Sequence, residues 1–219
     1  MERRVREARL NAALRRRGPT REPYDRILIV CEGEKTEPYY FEDFRRHFRL
    51  SSANIEIAEH DEGSNPINVV DYAIKRYRGD REYDRVYCVF DRDRHARFGE
   101  ALAKIDGERA RKKVPIHAVP SIPCFEFWIL LHFEYTTRQF EVVEGSICDE
   151  VIRLLRSYLP AYRKGEKVFD QLVGRIDAAV TNAKQVMVFH ESSGTDNPST
   201  RVHELVDYLR SLKSDTGGA

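Results

Sequence analysis

Cysteine is scarce in this chain. Its four copies, Cys31, Cys88, Cys124 and Cys148, show no Cys-x-x-Cys spacing. That pattern argues against a disulfide framework or a zinc site. Cys31 and Cys88 fall inside apolar runs and read as small core residues in a reducing cytoplasm. The seven histidines also lack metal-ligand spacing. No apolar run approaches the roughly 20 residues that a membrane span needs. The N-terminus is rich in arginine but lacks the apolar segment of a signal peptide. A soluble, cytoplasmic protein without a membrane partner is expected. Net charge is nearly absent too, at +1: 37 Lys and Arg face 36 Asp and Glu. The overall field therefore excludes nothing, but the charge distribution is uneven. Residues 1–21 hold eight arginines and only two acids, Glu2 and Glu7. Such an arm suits a phosphate backbone or an acidic partner. Internal repeats and low-complexity linkers are missing.

The hydrophobic pattern alternates between strand and helix. The arm carries good helix formers over 3–17, ended by Gly18-Pro19. Ile27–Cys31 is a continuous aliphatic run that fits a strand buried on both faces. Pro38 suits the first turn of a helix, and Tyr40, Phe41, Phe44 and Phe48 give it an apolar stripe. Ile55 and Ile57 alternate with polar residues in a short strand. Asn65-Pro66 opens a helix with Ile67, Val70, Ile74 and Tyr77 on one side. Val86–Phe90 reads as the third strand, 97–112 as a polar helix with Leu102 and Ile105 inward, and Val114–Val119 as the fourth strand. The alternation predicts a parallel sheet with right-handed crossovers. From Cys124 onward the pattern turns helical: Phe125–Phe133, 147–158 and 167–184. Val186–Phe189 fits either a short strand or more helix. Gly194–Pro198 is a loop, and Ser199 or Thr200 caps a last helix with Val202, Leu205, Val206 and Leu209 on one face. The expected organisation is a basic arm (1–23), an α/β core (24–135), a helical extension packed on the core (136–213) and a polar tail (214–219).

Two acidic clusters sit at strand ends. CEGEKTE places Glu32, Glu34 and Glu37 after the first strand, and FDRDRH places Asp91 and Asp93 after the third. Ligand sites of parallel sheets lie beyond the carboxyl ends of the strands. Carboxylates brought together repel and are costly to desolvate, so a divalent cation is their natural partner. Two aspartates two residues apart on extended chain share one side and can reach one Mg2+, a hard ion that takes oxygen ligands. Arg92, Arg94 and His95 would face phosphate oxygens. Glu126 opens the apolar helix close to the same sheet edge and is a further ligand candidate. Glu34 reads as a surface charge. Lys35 can contact a phosphate, although GEKT is not a phosphate-binding loop: Glu34 separates Gly33 from Lys35, and Leu28 stands where a second glycine is needed. Tyr162, Lys164 and Lys167 in the helical half are mostly surface residues by this reading, with Lys164 the one retained as a substrate contact.

At these residues the chain resembles known proteins. A strand followed by Glu-Gly, then a strand followed by Asp-x-Asp, looks like the Toprim domain of topoisomerases, primases and OLD-type nucleases. The strings CEGEKTEPYYF, FDRD, PCFEFWILLHF and NPSTRVHELV look more specifically like the RloB family of bacterial Toprim proteins, over about residues 24–212. The resemblance implies a compact four-stranded parallel sheet with helices on both faces. By the same resemblance Glu32 is the acid/base, Asp91 and Asp93 bind metal, Glu37 is a second acidic position, and Glu126 matches an acidic residue after the last core strand. It also implies bacterial anti-phage or abortive-infection loci and an AAA-type ATPase partner.

The expected function is a nuclease that hydrolyses DNA or RNA with Mg2+ or Mn2+. Glu32 and Lys35 would serve catalysis; Glu32, Glu37, Asp91, Asp93 and Glu126 would serve metal binding; Arg92, Arg94, His95 and Lys164 would bind substrate. Two other readings compete with it. One is a non-catalytic nucleic-acid or nucleotide sensor acting with an ATPase. The other is an Asp-x-Asp phosphatase or nucleotidyl transferase, disfavoured because the first strand ends in glutamate and not in a nucleophilic aspartate.

Overall fold

A computed structural model of the chain describes residues 25–51, 54–58, 65–93, 96–141 and 145–214. The expected arm helix over 3–17 and most of the polar tail lie outside these residues. The elements run β1 (Ile27–Cys31), α1 (Thr36–His47), β2 (Ile55–Ala58), α2 (Pro66–Gly79), β3 (Arg85–Asp91), α3 (Phe98–Ala110), β4 (Ile116–Ile122) and α4 (Phe125–Leu130). Then follow α5 (Ile147–Leu155), α6 (Phe169–Leu172), a short 3-10 turn (Val173–Arg175), α7 (Ile176–Ser193), β5 (Ser199–Thr200) and α8 (Val202–Ser214).

The sheet is mixed, with strand order β2-β1-β3-β4-β5. Four strands are parallel, and β5 joins β4 antiparallel through Ser121↔Thr200 and Ile122↔Ser199. The four-stranded parallel sheet is thus extended by one short strand. Ser199 and Thr200 pair with β4, and Thr200 also accepts the Val202 N–H through its Oγ1 at 3.2 Å, as a helix-opening residue does.

Strand periodicity divides the core into two layers. Ile27, Ile29 and Cys31 face one side of the sheet, against Tyr40, Phe41 and Phe44 of α1, Trp128 of α4, and apolar residues of α5 to α8. Leu28 and Val30 face the other, against Ile67, Val70 and Ile74 of α2 and Ile105 of α3. All five residues of β1 are buried. Burial of an aliphatic side chain stabilises by about 1.5–3 kcal/mol, so this strand anchors whatever is attached to its end. No helix among the described residues is long and apolar enough to cross a membrane.

Several boundaries differ from expectation. β4 starts after Pro115 and runs on to Ile122, through Pro120, because Asp91↔Ser121 and Thr200↔Ser121 pair with its far end. The helix expected over 167–184 is broken into α6, the 3-10 turn containing Gly174, and α7; glycine is a weak helix former. Val186–Phe189 continues α7. α4 ends at Leu130, three residues short of Phe133.

At the start of α2, Asn65 Oδ1 accepts the Ile67 N–H at 3.2 Å, with Pro66 as the first helical residue. Asn65→Ala is expected to lower stability by about 1 kcal/mol, the usual worth of such a cap. Urea unfolding checks this; an unchanged midpoint would show that the cap contributes nothing.

Candidate metal centre

The strand order sets the location. From β1 the chain crosses on the α1 face to β2, at the sheet edge. It then returns on the α2 face to β3, on the other side of β1. The order therefore reverses between β1 and β3, and a crevice opens beyond their carboxyl ends. Glu32 follows β1 directly and Asp91 is the last residue of β3. The two ends are tied: Glu32 N–H donates to Val89 O at 2.9 Å, and Glu32 Oε2 accepts the Asp91 N–H at 2.8 Å. The glutamate side chain thus continues the β1–β3 ladder where the backbone diverges.

Gly33 follows, and its lack of a side chain is what admits the next acid. A Cβ at Gly33 would overlap the carboxylate of Glu37. Glu37 stands in the first turn of α1 and is buried. Beside it, Thr36 Oγ1 accepts the Gly165 N–H at 3.1 Å, which docks the 162–165 segment onto the start of α1. Gly165 has φ +83°, a left-handed conformation suited to glycine. Asp93 also has a positive φ, +30°, and its N–H donates to Pro123 O at 3.0 Å. The chain is therefore not extended through Asp93, contrary to the reasoning that placed both aspartates on one side of a strand. The turn still brings both to one cavity.

That cavity has a volume of about 610 Å³ and is lined by the carboxylates Glu32, Glu37, Asp91 and Asp93, with Lys35 and Lys164 opposite in charge. Glu34 is exposed and also lines it. Glu126 is fully buried at 0 % exposure. Its Oε1 accepts the Tyr162 hydroxyl at 3.2 Å, and its Oε2 has no hydrogen-bond partner among the described residues.

Crowded carboxylates hold on to protons. Burial first, then the charges of Glu126 and Glu32, push Glu37 from 4.5 up to about 7, against opposing help from its own backbone N–H and Lys164. Burial, then Glu37, Glu126, Cys148 and Glu32, hold Asp91 well above the usual carboxylate range. Burial disfavours the charged form of Lys164, but Glu126, Cys148 and Asp91 outweigh it and raise its pKa. Lys164 therefore stays positive and stabilises the charged form of Glu37. Oxygen ligands of this kind suit a hard divalent cation. Mg2+ commonly uses one or two carboxylates and keeps several waters, so the carboxylates need not all converge on one point.

The other predicted residues are placed as follows. Arg92 turns to Asp196, its Nη1 lying 2.6 and 2.7 Å from the two carboxylate oxygens. Arg94 and His95 lie outside the described residues. Lys164 belongs to the cavity, and Tyr162 is buried against Glu126 instead of exposed on a surface. Sequence spacing missed one grouping: the thiols of Cys124 and Cys148 converge on Glu126. The Cys-x-Glu at the start of α4 hinted at half of it; Cys148, 24 residues further on, carried no signal.

A search of curated proteins and a search of solved structures each returned no match. The model of the family described as RloB-like protein matches residues 27–209. This interval runs from the first residue of β1 into α8 and contains every carboxylate of the centre, so the chain belongs to the RloB-like protein family.

Proposed function

We propose that this chain is a metal-dependent nuclease of Toprim type that hydrolyses phosphodiester bonds of DNA or RNA. One observation carries the reading: five carboxylates, the exposed Glu34 among them, and two lysines line a single cavity where the strand order reverses. Asp91, Asp93, Glu37 and Glu32 would hold Mg2+ or Mn2+, with Glu126 behind them. Such an ion supplies Lewis-acid polarisation of a phosphoryl oxygen and a more acidic bound water. Lys35 and Lys164 bind and orient phosphate oxygens, which the carboxylates alone would repel. Glu32, fixed by the Asp91 N–H, has the rigid placement that proton transfer or metal binding requires. The buried side chains around Glu37 and Glu126 would exclude water from the back of the site. A role in anti-phage or abortive-infection defence beside an AAA-type ATPase completes the proposal; it rests on the sequence resemblance.

The test is incubation of the protein with plasmid, single-stranded DNA and tRNA in Mg2+, Mn2+ or EDTA, alone and with an ATPase encoded nearby. Metal-dependent cleavage supports the reading. No cleavage of any substrate, with nucleic-acid affinity that survives Glu32→Gln, would identify a binding module instead.

Gly33→Ala probes the geometry without touching a charge. The added methyl must displace the Glu37 carboxylate, the far end of a flexible side chain, so folding should change little. Metal affinity should fall by about 10–100-fold, as when a supporting contact of a ligand is lost. Calorimetric titration with Mn2+ reads this, and an unaltered affinity would remove Glu37 from the ligand set.

A further inference from the structure

We propose that Cys124, Glu126 and Cys148 form a second cation site, for a thiophilic divalent ion of the Zn2+ class, distinct from the oxygen-lined cavity. Their ligand atoms, two Sγ and one carboxylate oxygen, all lie within 4.8 Å of one another. A tetrahedral zinc ion with bonds of about 2.0–2.3 Å holds its ligand atoms about 3.5 Å apart. A contraction of about 1 Å, within reach of small side-chain rotations, would close the site.

The positions are built by separate elements. Cys124 immediately precedes α4, Glu126 lies in its first turn, and Cys148 lies in the first turn of α5. The three are 0 %, 0 % and 4 % exposed. Glu126 supplies the independent sign of a ligand. Tyr162 satisfies Oε1, while Oε2 is buried with no hydrogen-bond partner among the described residues. A carboxylate oxygen in that state needs a proton or a cation.

Free buried cysteines commonly act as small apolar residues. Cys88 fits that description, within the layer of Leu28, Val30 and Val86. Cys124 and Cys148 differ, because their thiols meet each other and a buried acid. Ligand softness then separates the two centres. Thiolates select Zn2+ and similar ions over Mg2+, whereas carboxylates alone suit Mg2+ or Mn2+. Three protein ligands also leave a position open, as zinc sites with an exchangeable ligand do. An ion here would pin α4 to α5 and fix Glu126 in place. The inference stands on the thiol cluster and does not require the nuclease reading.

The experiment loads the reduced full-length chain with Zn2+ or Co2+, removes loose ions by gel filtration, and measures metal content and absorption. About one equivalent of Zn2+ should be retained, with protons released on binding. The Co2+ form should show a thiolate-to-metal charge-transfer band. Cys124→Ser and Cys148→Ser should each abolish that band, and Asp91→Asn should keep it while losing Mn2+ from the outer cavity. Wild-type protein that takes up Co2+ without a thiolate band, or takes up none, overturns the proposal whether or not the serine variants fold. Zn2+ content unchanged in a folded Cys148→Ser chain overturns it as well.

Discussion

Asp91→Asn is expected to abolish metal-dependent cleavage and leave the fold intact. Asp91 ends the central strand β3, and its carboxyl group faces Glu37, Glu126 and Glu32. On the proposed reading, removing its charge takes away a metal ligand. Loss of several kcal/mol of charge stabilisation in the transition state corresponds to a fall in kcat of about 1,000-fold or more. Folding should not suffer, for two reasons. The Asp91 N–H keeps its bond to Glu32 Oε2, because only the side chain has changed. The burial cost of its charge, and after it the repulsion from the neighbouring acids, both of which raise the pKa of Asp91, disappear with that charge. Urea unfolding in EDTA at pH 8 should therefore show a midpoint no lower than wild type. Turnover within tenfold of wild type would remove Asp91 from catalysis; a lost midpoint would mean that the carboxylate is structural.

Glu37→Gln should stabilise the metal-free protein at high pH while weakening the site. Folding moves the Glu37 pKa from 4.5 up to about 7. Between those values the folded state binds more protons than the unfolded chain, so stability falls as pH rises. Its contribution is fully present below 4.5 and lost once pH passes about 7. The shift corresponds to about 3 kcal/mol. Glutamine cannot ionise, so the variant escapes that loss. In EDTA it should be near wild type at pH 4 and up to about 3 kcal/mol more stable at pH 8. Mn2+ should reverse the order, because the ion replaces the missing proton in wild type and stabilises it by mass action. A wild-type stability that rises between pH 5 and 8 in EDTA would contradict the crowding of carboxylates at this end of the sheet.

The strand ends show how much of the site was legible. β1 announced itself as five aliphatic or thiol residues in a row, and Glu32 at its end is where the pattern put it. Asn65-Pro66 opened its helix as the turn chemistry required. Of the stripe Tyr40, Phe41, Phe44 and Phe48, the first three became the buried face of α1, while Phe48 lies just past its end and is only partly buried. Asp93 was read through the wrong local geometry: a positive φ, and not an extended strand, turns it to the cavity. β4 was placed too early, since the pairing that extends it to Ile122 comes from Ser199 and Thr200, far away in sequence. Arg92 has a distant partner as well, Asp196, and the interleaved charges around the aspartates gave no hint of it.

Short-range physics explains what the sequence determined alone: strand and helix type, the caps, and the two acidic strand ends. Side-chain period and turn residues act over a few positions, so they can be read in a line. Only the tertiary structure decided which acids meet. The reversal of strand order put β1 beside β3, the 162–165 segment brought Lys164 and Tyr162 to the acids, and the packing of α4 on α5 joined Cys148 to Cys124 and Glu126. Each of those contacts depends on long-range packing of buried faces, for which a linear spacing carries no record.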